Sequence, residues 1–236
     1  MHMTSNPIYC AVDTPDLARA EGLANKLLGS VGGLKLGLEF FSSLGVDGVR
    51  RIADIGVPIF LDLKLHDIPN TVAKAVHALA PLNPAIMTIH TQGGRAMMAA
   101  AVEAAAEAAD KLNVTPPKVV GVTVLTSLDD RDLLSMGVNS SAEEQVLRLA
   151  KLASESGLDG IVCSPHEVAQ VRDLMGPDFH LVVPGIRPAG AALGDQKRVM
   201  SPHEAMTAGA DVLVIGRPIT GADDPAAMAR HIAASL

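Results

Sequence analysis

Three charges interrupt the stretch FLDLKLHDIPNTV, Phe60 to Val72. Asp62 and Lys64 are two residues apart, and Asp67 follows three residues on. A carboxylate beside an ammonium can hold or move a proton and can stabilise charge that develops on a bound molecule. The first half of the stretch otherwise has the composition of a buried strand. Strand side chains alternate between faces, so Phe60, Asp62 and Lys64 share one face and Ile59, Leu61 and Leu63 the other. A buried ion pair costs desolvation and rarely repays it as stability, which points the pair toward chemistry. The plainer structural readings are a satisfied ion pair for Asp62 and Lys64, and an N-terminal helix cap for Asp67.

Other apolar runs end in similar groups. The first ends in Asp13, and the second carries Lys35 between Leu34 and Leu36. The fourth ends in Thr88 and His90, the fifth in Thr126 and Ser127, and the last in Gly216 and Arg217. If neighbouring strands meet, Lys35, Asp62, Lys64 and Asp67 form an alternating cationic and anionic array. Such an array tunes protonation by mutual charge rather than through a cofactor.

The elements that must position these groups form a repeating series. Short β-rich runs recur at 8–12, 32–36, 58–63, 85–90, 119–125, 160–164, 181–185 and 212–216. Helical spacing lies between them: Leu17, Glu21, Ala24 and Leu28; Val72, Val76 and Leu79; the Ala/Met/Glu stretch 96–109; Val146, Leu149 and Leu152; and the C-terminal AAMARHIAASL. SGLDGIVCSP (156–165) and AGADVLVIGRP (208–218) repeat one design of helix end, glycine stop and strand. Eight βα units in 236 residues with no long polar linker predict a (β/α)₈ TIM barrel, one α/β domain over 1–236. An open doubly wound sheet is the rival. It lacks support because no G-x-G-x-x-G or P-loop motif follows any run. In a barrel, the aliphatic face of 59–63 packs on helices. Asp62 and Lys64 then point inward at a strand's C-terminal end, where barrel sites lie.

Barrels often hold a phosphate at the loops after strands seven and eight. Here those loops contain PGIRPAGAALGDQKR (184–198) and IGRPI (215–219). Arg217 after Gly216, the Gln196 amide and Arg187 can all donate to an anion. The small-residue run Pro188 to Gly194 reads as a mobile cover. The net charge of −7 argues against a nucleic-acid partner, so cationic groups for an anionic ligand must be local. MHMTSNP lacks the apolar core of a signal peptide, and no apolar run reaches the roughly 18 residues of a membrane span, so a soluble cytoplasmic protein is expected. Cys10 and Cys163 sit in apolar runs and read as buried thiols. His66 and His77 lack metal-ligand spacing and read as surface, Met97 and Met98 read as packing, and His90 has no assigned role.

At this point the residues resemble a family. The D-x-K-x-x-D pattern of Asp62, Lys64 and Asp67 is similar to the signature of the orotidine 5′-monophosphate decarboxylases, bacterial type. Asp13, LKLG (34–37), VTVLTS (122–127), VPGIRP followed by GDQKR, and IGRPI match in order over essentially the whole chain. The resemblance implies cofactor-free, metal-free decarboxylation of orotidine monophosphate to UMP, the last step of de novo pyrimidine synthesis. It implies that Lys64 protonates C6 as CO₂ leaves, with Asp62 near the departing carboxylate and Lys35 and Asp67 completing the array. It further implies a homodimer in which Asp67 and Thr71 serve the partner's site. Asp13 and Thr71 would contact the ribose, and Thr126 or Ser127 the base. Gln196, Gly216, Arg217 and Arg187 would serve the phosphate, and Ile68 and Pro184 would add contacts to the substrate.

Three other readings remain open at this level. A 3-keto-L-gulonate 6-phosphate decarboxylase shares D-x-K-x-x-D but uses Mg²⁺, and that family carries a metal-binding Glu where Lys35 stands. A Schiff-base aldolase could use Lys64, although flanking aspartates keep a lysine protonated. A non-catalytic phosphate-ligand-binding barrel leaves the charged array without a purpose.

Overall fold

Parallel pairing joins the eight strands in chain order, and β8 returns to β1, so the sheet closes into a barrel. The computed structural model describes residues 6–188 and 200–236. The order is β1 (Ile8–Ala11), α1 (Leu17–Leu27), β2 (Gly33–Leu36), α2 (Leu38–Ala53), β3 (Ile59–Leu65), α3 (Pro69–Leu79), β4 (Ile86–His90), α4 (Gly94–Leu112), β5 (Lys118–Val122), α5 (Asp130–Ser135), α6 (Ala142–Glu155), β6 (Gly160–Val162), α7 (Val168–Met175), β7 (His180–Val183), α8 (Pro202–Thr207), β8 (Val212–Ile215), α9 (Arg217–Thr220) and α10 (Pro225–Ala233). The expected (β/α)₈ barrel is the observed fold. No helix among the described residues is long and apolar enough to cross a membrane.

Strand alternation sorts the core into two shells. Tyr9, Ala11, Phe60, Ile86, Val120, Val182, Val212 and Val214 fill the barrel interior. Ile59, Leu61, Leu34, Leu36, Met87 and Ile89 face the helices. With few aromatics available, the outer shell uses small side chains. The buried face of α4 consists of Met97, Met98 and five alanines, which lets this helix sit close to its neighbours. Both methionines are packing residues, as expected. Cys10 and Cys163 are both buried, and neither is in a disulfide.

The two similar segments do the same structural work. Gly157 and Gly209 both take positive φ, 84° and 106°, just after α6 and α8. Asp159 then accepts from the Val119 N–H at 2.8 Å, and Asp211 from the Leu181 N–H at 2.7 Å. Each aspartate thus ties the entry of its strand to the preceding one.

Three expectations about local structure need correction. The run 119–125 is not strand throughout, since β5 stops at Val122. Its partner β6 is only three residues long, and Thr123 closes the ladder by donating its N–H and its hydroxyl to the Val162 carbonyl at 3.2 and 2.8 Å. Thr126 and Ser127 therefore lie beyond the strand, on the following turn. Asp67 is not a helix cap. Pro69 stands at the first helical position of α3 and Ile68 is the N-cap, because proline presets its own φ and holds the residue before it extended. Finally, β3 is not a uniform strand. Its register against β4 steps from Leu61↔Met87 to Leu65↔Ile89, four residues against two.

Candidate active site

The irregular end of β3 builds the centre of the site. Across the step Lys64 adopts φ 52°, the left-handed region that a side chain with a Cβ rarely enters. Simple alternation does not hold through such a bulge. Even so, Lys64 and Asp62 end on one side: the Lys64 ammonium donates to Asp62 Oδ2 at 2.8 Å. Strand β2 lies alongside β3, with Lys35 opposite Phe60. From there the Lys35 ammonium reaches the same Asp62 Oδ2 at 3.4 Å and Asp13 Oδ1 at 3.4 Å. Thr88, on the inward row of β4, donates its hydroxyl to Asp62 Oδ1 at 3.0 Å and accepts the Lys64 N–H at 2.9 Å.

Asp62 is thus the hub of the cluster, and it is buried while Asp13 is exposed. Burial pushes the Asp62 carboxyl up. The ammoniums of Lys35 and Lys64, with the hydrogen bonds from Lys64 and Thr88, outweigh that and hold it below the ordinary carboxylate value. The site therefore contains a fixed anion gripped by two cations. A divalent metal has no electrostatic welcome between two ammoniums.

Asp67 does not join this cluster. Its carboxylate accepts from the Ile68 N–H at 2.7 Å, and it is exposed. Among the described residues, no ion pair links it to Lys35 or Lys64. Ile68 is 66% exposed, an unusual position for an isoleucine, and Thr71 is exposed on the first turn of α3. Asp67, Ile68 and Thr71 form one outward-facing strip beside the mouth.

The remaining expected residues also sit at the C-terminal ends of strands. Pro184 follows β7 directly. Arg187 donates to the Ile186 carbonyl at 2.9 Å, and its N–H donates to the Met200 carbonyl at 3.0 Å. Gly216 is the N-cap of α9, where its carbonyl accepts from the Ile219 and Thr220 N–H groups. A Cβ on Gly216 would lie 3.4 Å from that of Ala11, an ordinary contact, so packing alone does not demand glycine there. Arg217 begins α9 and is exposed. Gln196 and most of the expected cover, residues 189–194, lie outside the described residues.

Two contributors were missed by sequence reasoning. Thr88 was noticed only as a strand-end residue, although counting inward from Ile86 places it on the interior row of β4. Gly37 was quoted only within LKLG. A Cβ there would stand 3.0 Å from the Lys35 ammonium nitrogen and 3.3 Å from Asp13 Oδ1. His66 is exposed as expected, but its ring also lies 5.4 Å from that of His90. Burial, His66 and the Lys64 charge hold the His90 pKa below the ordinary imidazole value, against an opposing pull from Asp62.

This geometry can be set beside known proteins. The model of the orotidine 5′-phosphate decarboxylase / HUMPS family matches residues 6–232. The chain belongs to that family. Among curated relatives, the orotidine 5′-phosphate decarboxylase of Novosphingobium aromaticivorans is 59% identical over 232 residues, covering 98% of this chain and 100% of the relative. That of Paramagnetospirillum magneticum is 57% identical over 231 residues, 98% of each chain. A crystal structure of orotidine 5′-phosphate decarboxylase from Lactobacillus acidophilus has a TM-score of 0.82 at 38% identity, covering 98% of this chain and 99% of that one.

Proposed function

We propose that this chain decarboxylates orotidine 5′-monophosphate to UMP and CO₂ without a cofactor, as the last step of pyrimidine nucleotide synthesis. The observation that carries this reading is the Lys35–Asp62–Lys64 cluster, in which two ammoniums share one buried carboxylate oxygen. The similarity to relatives of that name supports it.

The C6–carboxylate bond breaks with its electron pair left on C6, where the ring offers no delocalising sink. The Lys64 ammonium stabilises that developing charge and then gives its proton to C6, leaving a neutral amine that water reprotonates. Asp62 stands near the departing carboxylate and disfavours it by like charge while the substrate is bound. Lys35 holds Asp62 in place and, with Asp13, meets the ribose. Thr126 or Ser127 reads the base, and Ile68 and Pro184 flank the substrate. The phosphate is held by Gly216, Arg217 and Gln196 with Arg187 nearby. Its binding energy is spent far from C6, on closing the site and driving out water.

The working form in this reading is a cytoplasmic homodimer of single-domain protomers, in which Asp67 and Thr71 enter the partner's site. Their exposure at the mouth supports that role, and two buried cysteines outside any disulfide suit a reducing compartment. Purified protein should convert orotidine monophosphate to UMP, read from the ultraviolet spectrum. Lys64→Ala should lose turnover by at least about 10⁴-fold, since it removes both the proton donor and the charge, yet still bind UMP. A protein that binds UMP but leaves orotidine monophosphate intact would sink the proposed activity. Undiminished turnover in Lys64→Ala would sink the role of Lys64.

A further inference from the structure

The left-handed backbone at Lys64 is unfavourable for a residue with a Cβ, so something must hold it. The four-against-two step between β3 and β4 also takes Lys64 out of the regular ladder, and its N–H needs a partner other than a β4 carbonyl. Thr88 meets both needs. A hydroxyl has one proton to give and two lone pairs to receive with. Thr88 gives its proton to Asp62 Oδ1 at 3.0 Å and receives the Lys64 N–H at 2.9 Å. Its side chain is 1% exposed, so water does not compete for either bond.

We propose that Thr88 is a positioning residue for the decarboxylation, its hydroxyl locking the Asp62 carboxylate and the Lys64 backbone into one geometry. The inference rests on the reading of Lys64 and Asp62 as the reacting pair. Without Thr88, Asp62 keeps two ammoniums on Oδ2 but has no donor on Oδ1. The carboxylate is then free to rotate about its bond to Cβ. The part-buried Lys64 N–H loses its Thr88 partner, which loosens the bulge that aims the ammonium. Both errors act on the same pair of atoms, so the loss falls on the chemical step rather than on substrate binding.

Thr88→Val keeps the shape and removes the hydroxyl, and Thr88→Ser keeps the hydroxyl and removes the methyl. A hydrogen bond to a charged group is worth about 1.5–3 kcal/mol, so kcat in Thr88→Val should fall about 10- to 100-fold with KM little changed. Thr88→Ser should recover most of that loss. A readout independent of turnover is the ¹³C NMR titration of the Asp62 carboxyl, whose midpoint should move up in Thr88→Val and return in Thr88→Ser. If Thr88→Val fails to fold, Thr88→Ala removes the same hydroxyl without a methyl pressed on the carboxylate and should read the same way. Wild-type kcat in a folded variant without the hydroxyl, a change confined to KM, or an unmoved Asp62 midpoint would overturn the proposal. If instead the wild-type protein proves inert, or Lys64→Ala proves fully active, the assignment of the reacting pair fails. The Asp62 midpoint still decides whether Thr88 governs that carboxylate.

Discussion

Gly37 offers a sharp test of how tightly the cation cluster is set. Its φ of −100° and ψ of −166° are open to any residue, so replacing it with alanine introduces no backbone strain. What changes is the space beside Lys35. The added methyl would lie 3.0 Å from the ammonium nitrogen and 3.3 Å from Asp13 Oδ1, against an ordinary contact of 3.4–4 Å. The ammonium is the far end of a flexible side chain and gives way by about half an ångström, enough to restore an ordinary contact. If that shift stretches the Lys35–Asp62 contact from 3.4 Å to about 4 Å, the attraction weakens by about 0.7 kcal/mol at an effective dielectric of 20. A misplacement of 1 Å at a reacting centre can cost about 100-fold, so half of that corresponds to about tenfold in kcat. The fold should barely notice. Gly37 is the N-cap of α2, and alanine there in place of glycine costs less than about 1 kcal/mol. The assay is steady-state turnover of orotidine monophosphate beside a urea titration of the same preparation. Gly22→Ala is the control, because a Cβ at Gly22 meets nothing within 4 Å. Gly37→Ala with wild-type kcat, or a loss of rate fully explained by loss of folded protein, would refute the claim that Lys35 is held within a fraction of an ångström.

Two further predictions use the same residues. The Asp62 carboxyl lies below its ordinary value of 3.8 when folded, so between those two values the unfolded chain binds more protons; the stabilisation is present above 3.8 and is lost as pH falls through the folded value. The stability of the wild type should therefore drop toward that of Asp62→Asn as the pH is lowered from neutral to about 3, and urea titrations showing a constant gap would contradict this. Mixing Lys64→Ala with Asp67→Ala tests the shared site: each mixed dimer holds one intact and one doubly defective site, so random exchange of two inert proteins should restore about a quarter of wild-type activity. Purely additive, unrescued activity after subunit exchange would place Asp67 in its own protomer's site or outside the site altogether.

Much of this was legible in the sequence, and the part that was not has definite causes. Eight β-rich runs with helical spacing between them were enough for the barrel. The parity of Phe60 and Asp62 was enough to turn Asp62 inward, because that part of β3 is regular. Lys64 reached the same side by a route that parity does not describe. Its position depends on two extra residues in β3 relative to β4, and a register step is a property of two strands rather than of one. The end of β5 was misplaced for a similar reason: Val124 and Leu125 have strand character, but β6 is too short to pair with them. The cap on α3 was open to reading, since Pro69 marks the first turn and displaces Asp67 from the capping position. Lys35, Asp62 and Lys64 were expected together and meet, and Asp13, expected only as a strand-end ribose contact, joins them through Lys35. Asp67 was expected in the array and stands apart, which follows if its place is filled only by a second chain.

The inward row of β2 explains why the cluster can exist inside a barrel at all. That row is Gly33 and Lys35, followed one residue past the strand by Gly37, the N-cap of α2. A Cβ on Gly33 would fall 2.2 Å from the Tyr9 ring, so the glycine there admits the one tyrosine, which packs edge-on against Phe60 at 6.2 Å and fills the barrel below the charges. A Cβ on Gly37 would press on the charges themselves. Glycine offers no side chain to pack, and a buried carboxylate with two lysines is seldom a net gain in stability. The row thus gives up packing at two positions and solvation at a third. What it gains is an aromatic floor that excludes water from beneath and an unobstructed berth for the Lys35 side chain above. Both are requirements for holding charges close together in a dry site. Neither is a requirement for folding, so the composition of this row is better explained by the chemistry at the mouth than by the stability of the barrel.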